Sequence, residues 1–435
     1  MEEFFNFLFL KEPGLRHVVI GTALLSVCTS LIGTFTILRK RALSGDVISH
    51  AILPGICLAF IFSGEKNIIY LMIGAFASGW LSLVLVDRIV RFSKIKEDTA
   101  LAIILSSFYG LGVVLLKVID KLPNYPDKAG LNNYLFGSAT QIVTNDLLNF
   151  GVVGCIIFLI LLIYYRYFKV LSFDPVFAKS TGLNVPYLEF LLTSLTVLAV
   201  TIGIQTVGVV LMAAMLITPG AIALFWTKKL HFTLLLAAVL GIVSSWLGCF
   251  SSYFLTFETG SGQDAVPTGP AIVMYLSMFG VLSFFFTPKK GIIAKYIKKT
   301  KFKKQIQMEN LLKSLYKNFG TKKEDSLCFN EINAVSPLPK KDLNKSISLL
   351  TNAGYLIHKR GNYTLTAIGL SKGKRITKIH RLWELYLTNY MNVDAKNVHD
   401  DAESIEHILT PELERSLEKQ LNFPEKDPHN KPIPY

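Results

Sequence analysis

Nine stretches of the chain, 17–38, 47–64, 67–87, 99–118, 146–165, 187–205, 207–226, 232–256 and 270–287, stay apolar for long enough to predict helices that cross a bilayer. The second is short, so the pattern predicts eight or nine spans. Beyond residue 304 the period changes. Helical spacing runs through 305–318, and a short helix is predicted near 329–334. SPLPKKDLNKSISLLTNAG then reads as a turn leading into a helix that ends at Gly354. YLIHKRGNYTLTAIG alternates on either side of Arg360-Gly361-Asn362, which predicts a two-stranded wing. Helical periodicity resumes over 366–390, and two acidic helices follow near 394–408 and 411–421. Helix, helix, helix, hairpin is the order of a winged helix-turn-helix. The expected fold is therefore an all-α polytopic membrane protein followed by an α+β winged helix-turn-helix domain. The expected divisions are 1–287, a linker over 288–304, 305–372 and 373–435.

Composition agrees with this division. The 435 residues are 51% hydrophobic and 17% charged, with mean hydropathy +0.43, too apolar for an ordinary soluble protein. Charge then orients the spans. Basic clusters fall at Arg39-Lys40-Arg41, at Arg88, Arg91, Lys94 and Lys96, at Arg166, Lys169 and Lys179, at Lys228-Lys229, and from Lys289 onward. Nine spans put all of these on one side, which the positive-inside rule makes cytoplasmic. One outer loop dissents through Lys121 and Lys128, which Asp120 and Asp127 offset. The expected location is a bacterial cytoplasmic membrane, with the C-terminal domain in the cytoplasm. PKKGIIAKYIKKTKFKK (288–304) holds eight lysines and no acid. It reads as a clamp on anionic membrane lipid or as a positive-inside stop, and the two are compatible. The five cysteines form no CxxC pair and read as small core residues.

Chemistry appears in few places. No stretch fits G-x-x-x-x-G-K-[ST]; GLSKGK at 369–374 is one residue short. The chain is thus expected to be no enzyme, and any ATP hydrolysis falls to a separate subunit. Within GDVISHAILPG (45–55), Asp46 and His50 lie four apart, on one helical face. With the membrane boundary near Arg41, Asp46 lies roughly 7 Å deep and His50 roughly 13 Å deep at 1.5 Å per residue. That is close to mid-bilayer. Pro54-Gly55 follows, a place for a kink or break. A carboxylate plus an imidazole suits manganese, iron or zinc; a buried hydrogen-bonded pair that only orders helices fits equally. Asp174 and Pro175 predict a capped connecting helix, and ITPGA (217–221) predicts either a packing kink or a hinge. Farther on, His380 and Glu384 are four apart, and His399, Glu403, Glu406 and His407 cluster in VHDDAESIEH. These are oxygen and nitrogen donors for a divalent ion, or else a solvated acidic helix with incidental histidines. The absence of cysteine there argues against a tetrathiolate zinc site. Lys340, Lys341 and Lys345 on the second wing helix, with Lys359 and Arg360 on the wing, are placed to meet DNA phosphates, or form a solvated basic face.

Several blocks carry a resemblance. LRKRALSGDVISHAILPGICLAF (38–60), KEDTALAIILSSFYGLGVVLL (96–116), FDPVFAKSTGLNVPYLEFLL (173–192), QTVGVVLMAAMLITPGAIA (205–223) and SYFLTFETGSGQDAVPTGPAIVM (252–274) resemble, in order, the permeases of manganese/zinc/iron ABC transporters. The resemblance implies a pathway formed by two permease copies or paralogues, a cytoplasmic ABC ATPase and an extracytoplasmic metal-binding protein. It implies that Asp46 and His50 lie on the metal path, and that Asp174, Pro175 and Gly182 belong to the loop that couples to the ATPase. IHRLWELYLT, NVHDDAESIEHILTPELERSLEKQL and NKPIP resemble iron- and manganese-dependent repressors of the diphtheria-toxin-repressor type. That likeness implies a helical metal-binding and dimerisation region over 373–435. One metal site would use His380, Glu384 and His399, and a second Glu403, Glu406, His407 and Asn310. Asn310 is a weak ligand, and Lys313, one turn on, is none.

Overall fold

A proline opens the first long helix. α1 (Pro13–Leu38) places Pro13 in its first turn, where the missing N–H costs nothing and the fixed φ suits a helix. Its buried face carries small polar residues, and their hydroxyls turn back onto the helix. Ser30 donates to the Ser26 carbonyl at 2.6 Å, Thr34 to Ser30 at 2.7 Å and Thr36 to Ile32 at 3.1 Å. The polar atoms are satisfied within α1, so its small side chains allow neighbouring helices to approach closely. A Cβ at Gly33 would lie 1.7 Å from the Leu216 carbonyl oxygen, and the Ser26 and Ser245 hydroxyls hydrogen-bond across helices.

The protein's structure, a computed structural model, describes all residues except 1–5, 8, 10, 66, 122–136, 138–141, 143, 260–261, 289, 323–325, 337, 392–406 and 408. It forms two compact units, Met1–Ala294 and Lys295–Tyr435. The first continues with α2 (Ser44–Ser63), α3 (Ile68–Phe92), α4 (Glu97–Lys121), α5 (Thr144–Ile163), α6 (Tyr165–Phe173), α7 (Pro175–Ser180) and α8 (Val185–Val207). Then come α9 (Val209–Trp226), α10 (Leu230–Phe254), a hairpin of β1 (Thr256–Thr259) and β2 (Gly262–Ala265), and α11 (Thr268–Phe286). Among the described residues, eight of these helices are long and apolar enough to cross a membrane, and Met212–Trp226 in α9 is a shorter apolar helix. The expected count of eight or nine turns on that one helix. α2 packs mainly on α3 and α4, and α1 on α9 and α10. The shared core includes Ile32, Phe35, Ile48, Ile52 and Leu53, none more than 1% exposed. The outward faces are apolar too, with Ile73, Leu159, Ile163 and Leu235 at least half exposed, as lipid-facing positions require.

α12 (Ile292–Lys322) takes in most of the stretch expected as a linker. The second unit then holds β3 (Leu327–Cys328), α13 (Phe329–Val335), α14 (Lys340–Asn352), β4 (Leu356–Lys359), β5 (Asn362–Leu365), α15 (Ala367–Met391) and α16 (Pro411–Gln420). The expected hairpin is there, joined by Arg360 at φ 51° and Gly361 at φ 84°, the positive pair of a type I′ turn. Strand β3 adds a third member in the order β3-β5-β4. Leu311, Leu312, Leu315, Ile332, Leu343, Leu350 and Ile376 fill the core beneath.

α15 and α16 are clamped by charge. Glu414 bridges Arg375 Nε and Lys378 Nζ, both at 2.8 Å, and Lys378 also meets Glu418 at 2.6 Å. Burial pushes the Glu414 pKa up, but the Lys378 and Arg375 hydrogen bonds outweigh it and the net shift is downward. A lowered folded pKa means that the stabilisation is present above the ordinary value of 4.5 and lost as pH falls through the folded one. Glu414→Gln should therefore cost about 1–2 kcal/mol at neutral pH and flatten the acid limb of stability. Amide exchange of α15 and α16 in the full chain, followed against pH, is the measurement.

Candidate functional site

The local chemistry of α2 places its two ionisable groups. Asp46 lies in the first turn, where a carboxylate offsets the unpaired N–H groups and the positive end of the helix dipole. One turn on, His50 Nε2 stands 3.5 Å from Asp46 Oδ1. That is longer than a good hydrogen bond, so the two polar atoms stand close without a tight bond between them. The Asp46 side chain is 39% exposed and that of His50 15%, so the carboxylate forms the open side of the pair. His50 Nδ1 is buried without a hydrogen-bond partner among the described residues. The ring is held by Tyr109 of α4, edge to face at 4.9 Å. Pro54 has no N–H, so the His50 carbonyl lacks its usual i+4 donor.

Of the kink or break expected at Pro54-Gly55, the break is absent. α2 continues through both residues to Gly64, whose φ of 70° ends it. The reason lies in packing. A Cβ at Gly55 would be 2.1 Å from the Gly74 carbonyl oxygen, and one at Gly74 would be 2.4 Å from that of Gly55. The two backbones cross in contact, and Ser78 donates to the Ala51 carbonyl at 2.6 Å. α3 thus braces α2 where the proline weakens it. ITPGA behaves likewise: Pro219 sits within α9, and a Cβ at Gly220 would be 2.8 Å from Thr34 Oγ1. The interruption comes instead between α8 and α9 at Gly208, with φ 86° and ψ 162°.

Charged side chains gather where α2 begins. Arg39 meets Glu189 at 2.5 Å, and Arg41 meets Asp87 and Glu97, each at 3.2 Å. Two guanidinium groups thus face three carboxylates, before Asp46 is counted. Glu189 lies on α8, just after the capped loop. There Asp174 accepts from the Phe177 N–H at 2.8 Å, Pro175 starts α7 and Gly182 turns the chain at φ 81°. This short helix exposes Val176 (79%) and Phe177 (54%), apolar residues that sequence reasoning passed over.

In the second unit, His380 Nε2 lies 3.0 Å from Glu384 Oε1, both side chains 3% exposed. His407 Nε2 is 2.9 Å from Asn310 Oδ1, and its Nδ1 is 2.7 Å from Glu309 Oε2. Both ring–oxygen pairs stand at hydrogen-bond distance, and His380–Glu384 also reaches the separation of about 3.0–3.4 Å between two donors on one small ion. Glu309 would act as the outer carboxylate that orients the imidazole. It was missed because it pairs with a residue 98 positions away; only the first-helix position of Asn310 hinted at it. Glu309 also meets Lys372 at 3.3 Å. Burial raises its pKa, while the His407 hydrogen bond and Lys372 lower it and prevail. His399, Glu403 and Glu406 lie outside the described residues, and no three His, Cys, Asp or Glu converge among the described ones. Lys313 is 5% exposed, and the Lys317 pKa is lowered by burial and then by Lys313, Arg381 and Lys431, against Glu384. Lys340, Lys341 and Lys345 of α14 and Lys359 and Arg360 of the wing are all exposed. Pro339 directly precedes α14, so that proline of SPLPKK leads into the helix without disturbing it.

The chain matches the family model described as "ABC 3 transport family" over residues 12–287. The chain belongs to this family. Residues 366–435 also match "Iron dependent repressor, metal binding and dimerisation domain". The chain is 32% identical over 427 residues to the manganese transport system membrane protein MntC of Bacillus subtilis, covering 96% of this chain and 94% of that one. It is 37% identical to the zinc transport system membrane protein TroC of Treponema pallidum, covering 64% of this chain and 91% of that one. Among solved structures it resembles PsaBC from Streptococcus pneumoniae in complex with Fab, with TM-score 0.59 and 32% identity, covering 69% of this chain and all of that one. The family match extends across α1 to α11, so the α2–α3 crossing belongs to the ABC 3 part of the chain. Gly55→Val should cost about 1–3 kcal/mol of stability by forcing that crossing apart. Gly110→Val, into open space, should cost nothing; thermal unfolding in detergent compares the two.

Proposed function

We propose that the chain is the permease subunit of an ATP-driven importer of a divalent first-row metal, manganese, zinc or iron, in a bacterial cytoplasmic membrane. Residues 1–287 form the transport domain, 288–304 the link, 305–372 a winged helix and 373–435 a metal-responsive helical region in the cytoplasm. The pair Asp46 and His50 carries this reading. Its carboxylate oxygen and imidazole Nε2 stand 3.5 Å apart with the carboxylate on the open side, and the ring's other nitrogen is buried without a hydrogen-bond partner among the described residues. These features favour a passing cation. The names of MntC and TroC, a manganese and a zinc system, support the metal class.

The other roles follow from shape and chemistry. An exposed, capped helix with Val176 and Phe177 at its surface is a knob for a cytoplasmic ABC ATPase, with Asp174, Pro175 and Gly182 shaping it. The chain contributes one half of the pathway, and a second permease copy or paralogue supplies the other. An extracytoplasmic metal-binding protein delivers the ion. In the helical region, His380 and Glu384 with His399, and His407 and Asn310 with Glu403 and Glu406, are the positions for an effector metal.

A second reading is favoured by α14 and the wing: the chain is a membrane-tethered, metal-dependent transcriptional repressor that binds DNA and whose permease half is vestigial. Their exposed cations are those that would touch phosphates.

With the ATPase and binding protein present, Asp46→Ala and His50→Ala should each lower radiolabelled manganese or zinc uptake about 10–100-fold, the scale of losing a tuned metal contact. Unchanged uptake by both variants rejects the path assignment. For the second reading, duplex DNA should bind the full chain in nanodiscs with a salt slope that falls by about one for each of Lys340→Gln and Lys341→Gln. An unchanged slope, or no binding with or without Mn²⁺, rejects it.

A further inference from the structure

The first three turns of α12 have two faces. At 100° per residue, Ile292, Ile293, Tyr296 and Ile297 share one side. They are 42%, 40%, 71% and 59% exposed. Lys295 and Lys298 lie opposite, and Lys299 and Lys301 flank the apolar face on its two edges, all exposed. Lys303 and Lys304 then return charge to the apolar side, which bounds that face at Ile297. A helix of this design, apolar on one side and cationic on the other, is the form that lies in a membrane interface.

Two further observations select lipid as the occupant. The face follows α11 after only residues 287–291, and the end of α11 exposes Phe284, Phe285 and Phe286 at 52%, 41% and 62%. Six residue steps reach at most roughly 20 Å, so α12 must begin within or beside the headgroup layer of the leaflet that α11 reaches. The charge is also of one sign: 288–304 holds eight lysines and no acid, which complements an anionic leaflet.

We propose that Ile292–Lys301 is an interfacial helix. Ile292, Ile293, Tyr296 and Ile297 insert at the acyl boundary of an anionic lipid surface, and Lys295, Lys298, Lys299 and Lys301 hold its phosphates. The helix continues unbroken to Leu311, Leu312 and Leu315, core residues of the second unit. The inference rests on α11 as a membrane span and is independent of which metal, if any, is carried.

The test uses the full chain in nanodiscs of phosphatidylcholine alone or mixed equally with phosphatidylglycerol. Cys155→Ser and Cys328→Ser remove the accessible thiols. A spin label is then placed by Ile297→Cys or by Lys298→Cys. In anionic discs the label at 297 should relax more with oxygen than with a water-soluble nickel chelate, and the label at 298 the reverse. Changing Lys295, Lys299 and Lys301 to Gln together should lower the ratio of inserted to solvated 297 label about a hundredfold. Equal nickel access at 297 and 298 in anionic discs overturns the proposal. So does a 297 label shielded from both reagents regardless of lipid, the mark of a protein contact, or one released by added duplex DNA.

Discussion

A carboxylate and an imidazole held one turn apart inside an apolar bundle constrain much of the first unit. Neither group belongs in hydrocarbon, so the fold must keep one side of the pair open and neutralise every other charge nearby. Asp46 takes the open side and the helix N-terminus. Arg39 and Arg41, which sequence places within seven residues of it, are each bound to acids on other helices. Left unpaired, either guanidinium would repel a cation at Asp46. The Arg39–Glu189 pair also ties the end of α1 to the start of α8, next to the exposed α7. The electrostatics of the pair and the mechanics of that surface helix thus share one ion pair.

The α2–α3 crossing solves a second part of the same problem. Pro54 removes a hydrogen bond from the helix that carries His50, which by itself would bend it. Direct backbone contact at Gly55 and Gly74 supports the helix where it runs on unbroken through the proline. The His50 carbonyl stays without its i+4 donor while its ring remains fixed against Tyr109. Pro54 supplies an acceptor; Gly55 supplies the closeness that makes the proline tolerable.

Much of this was legible in the sequence, for local reasons. Apolar windows located the spans, the i, i+4 spacing placed Asp46 under His50, and Arg360-Gly361 set the wing turn, because each depends on residues within a few positions. The Asp174 cap was legible for the same reason. What was hidden depends on long-range approach. Gly55 beside a proline reads as a break until Gly74 is brought against it. Glu189, Tyr109 and Glu309 gain their roles from partners 150, 59 and 98 positions away. Strand β3 is two residues long and exists only because β5 offers Tyr363 and Asn362 an open edge to pair with. At Gly208 the apolar windows already part near residue 206, and what they leave out is the positive φ that ends one helix and starts the next two residues on.

The two units set imidazoles in opposite electrostatic surroundings. Beside His50 stands the Asp46 carboxylate, and the ring's Nδ1 has no hydrogen-bond partner among the described residues. Beside His380 and Glu384 stands a group of cations, Lys313, Lys317, Arg381 and Lys431, close enough to one another to depress the Lys317 pKa once burial has done so. Like charges in a buried site repel a divalent ion through the same Coulomb term that draws it to Asp46. Around His407 the balance is nearer neutral, since Glu309 is shared with Lys372 and Asn310 contributes only a neutral oxygen. Among the described residues, His50 thus has a carboxylate beside it, His407 a carboxylate shared with a lysine, and Glu384 a group of cations.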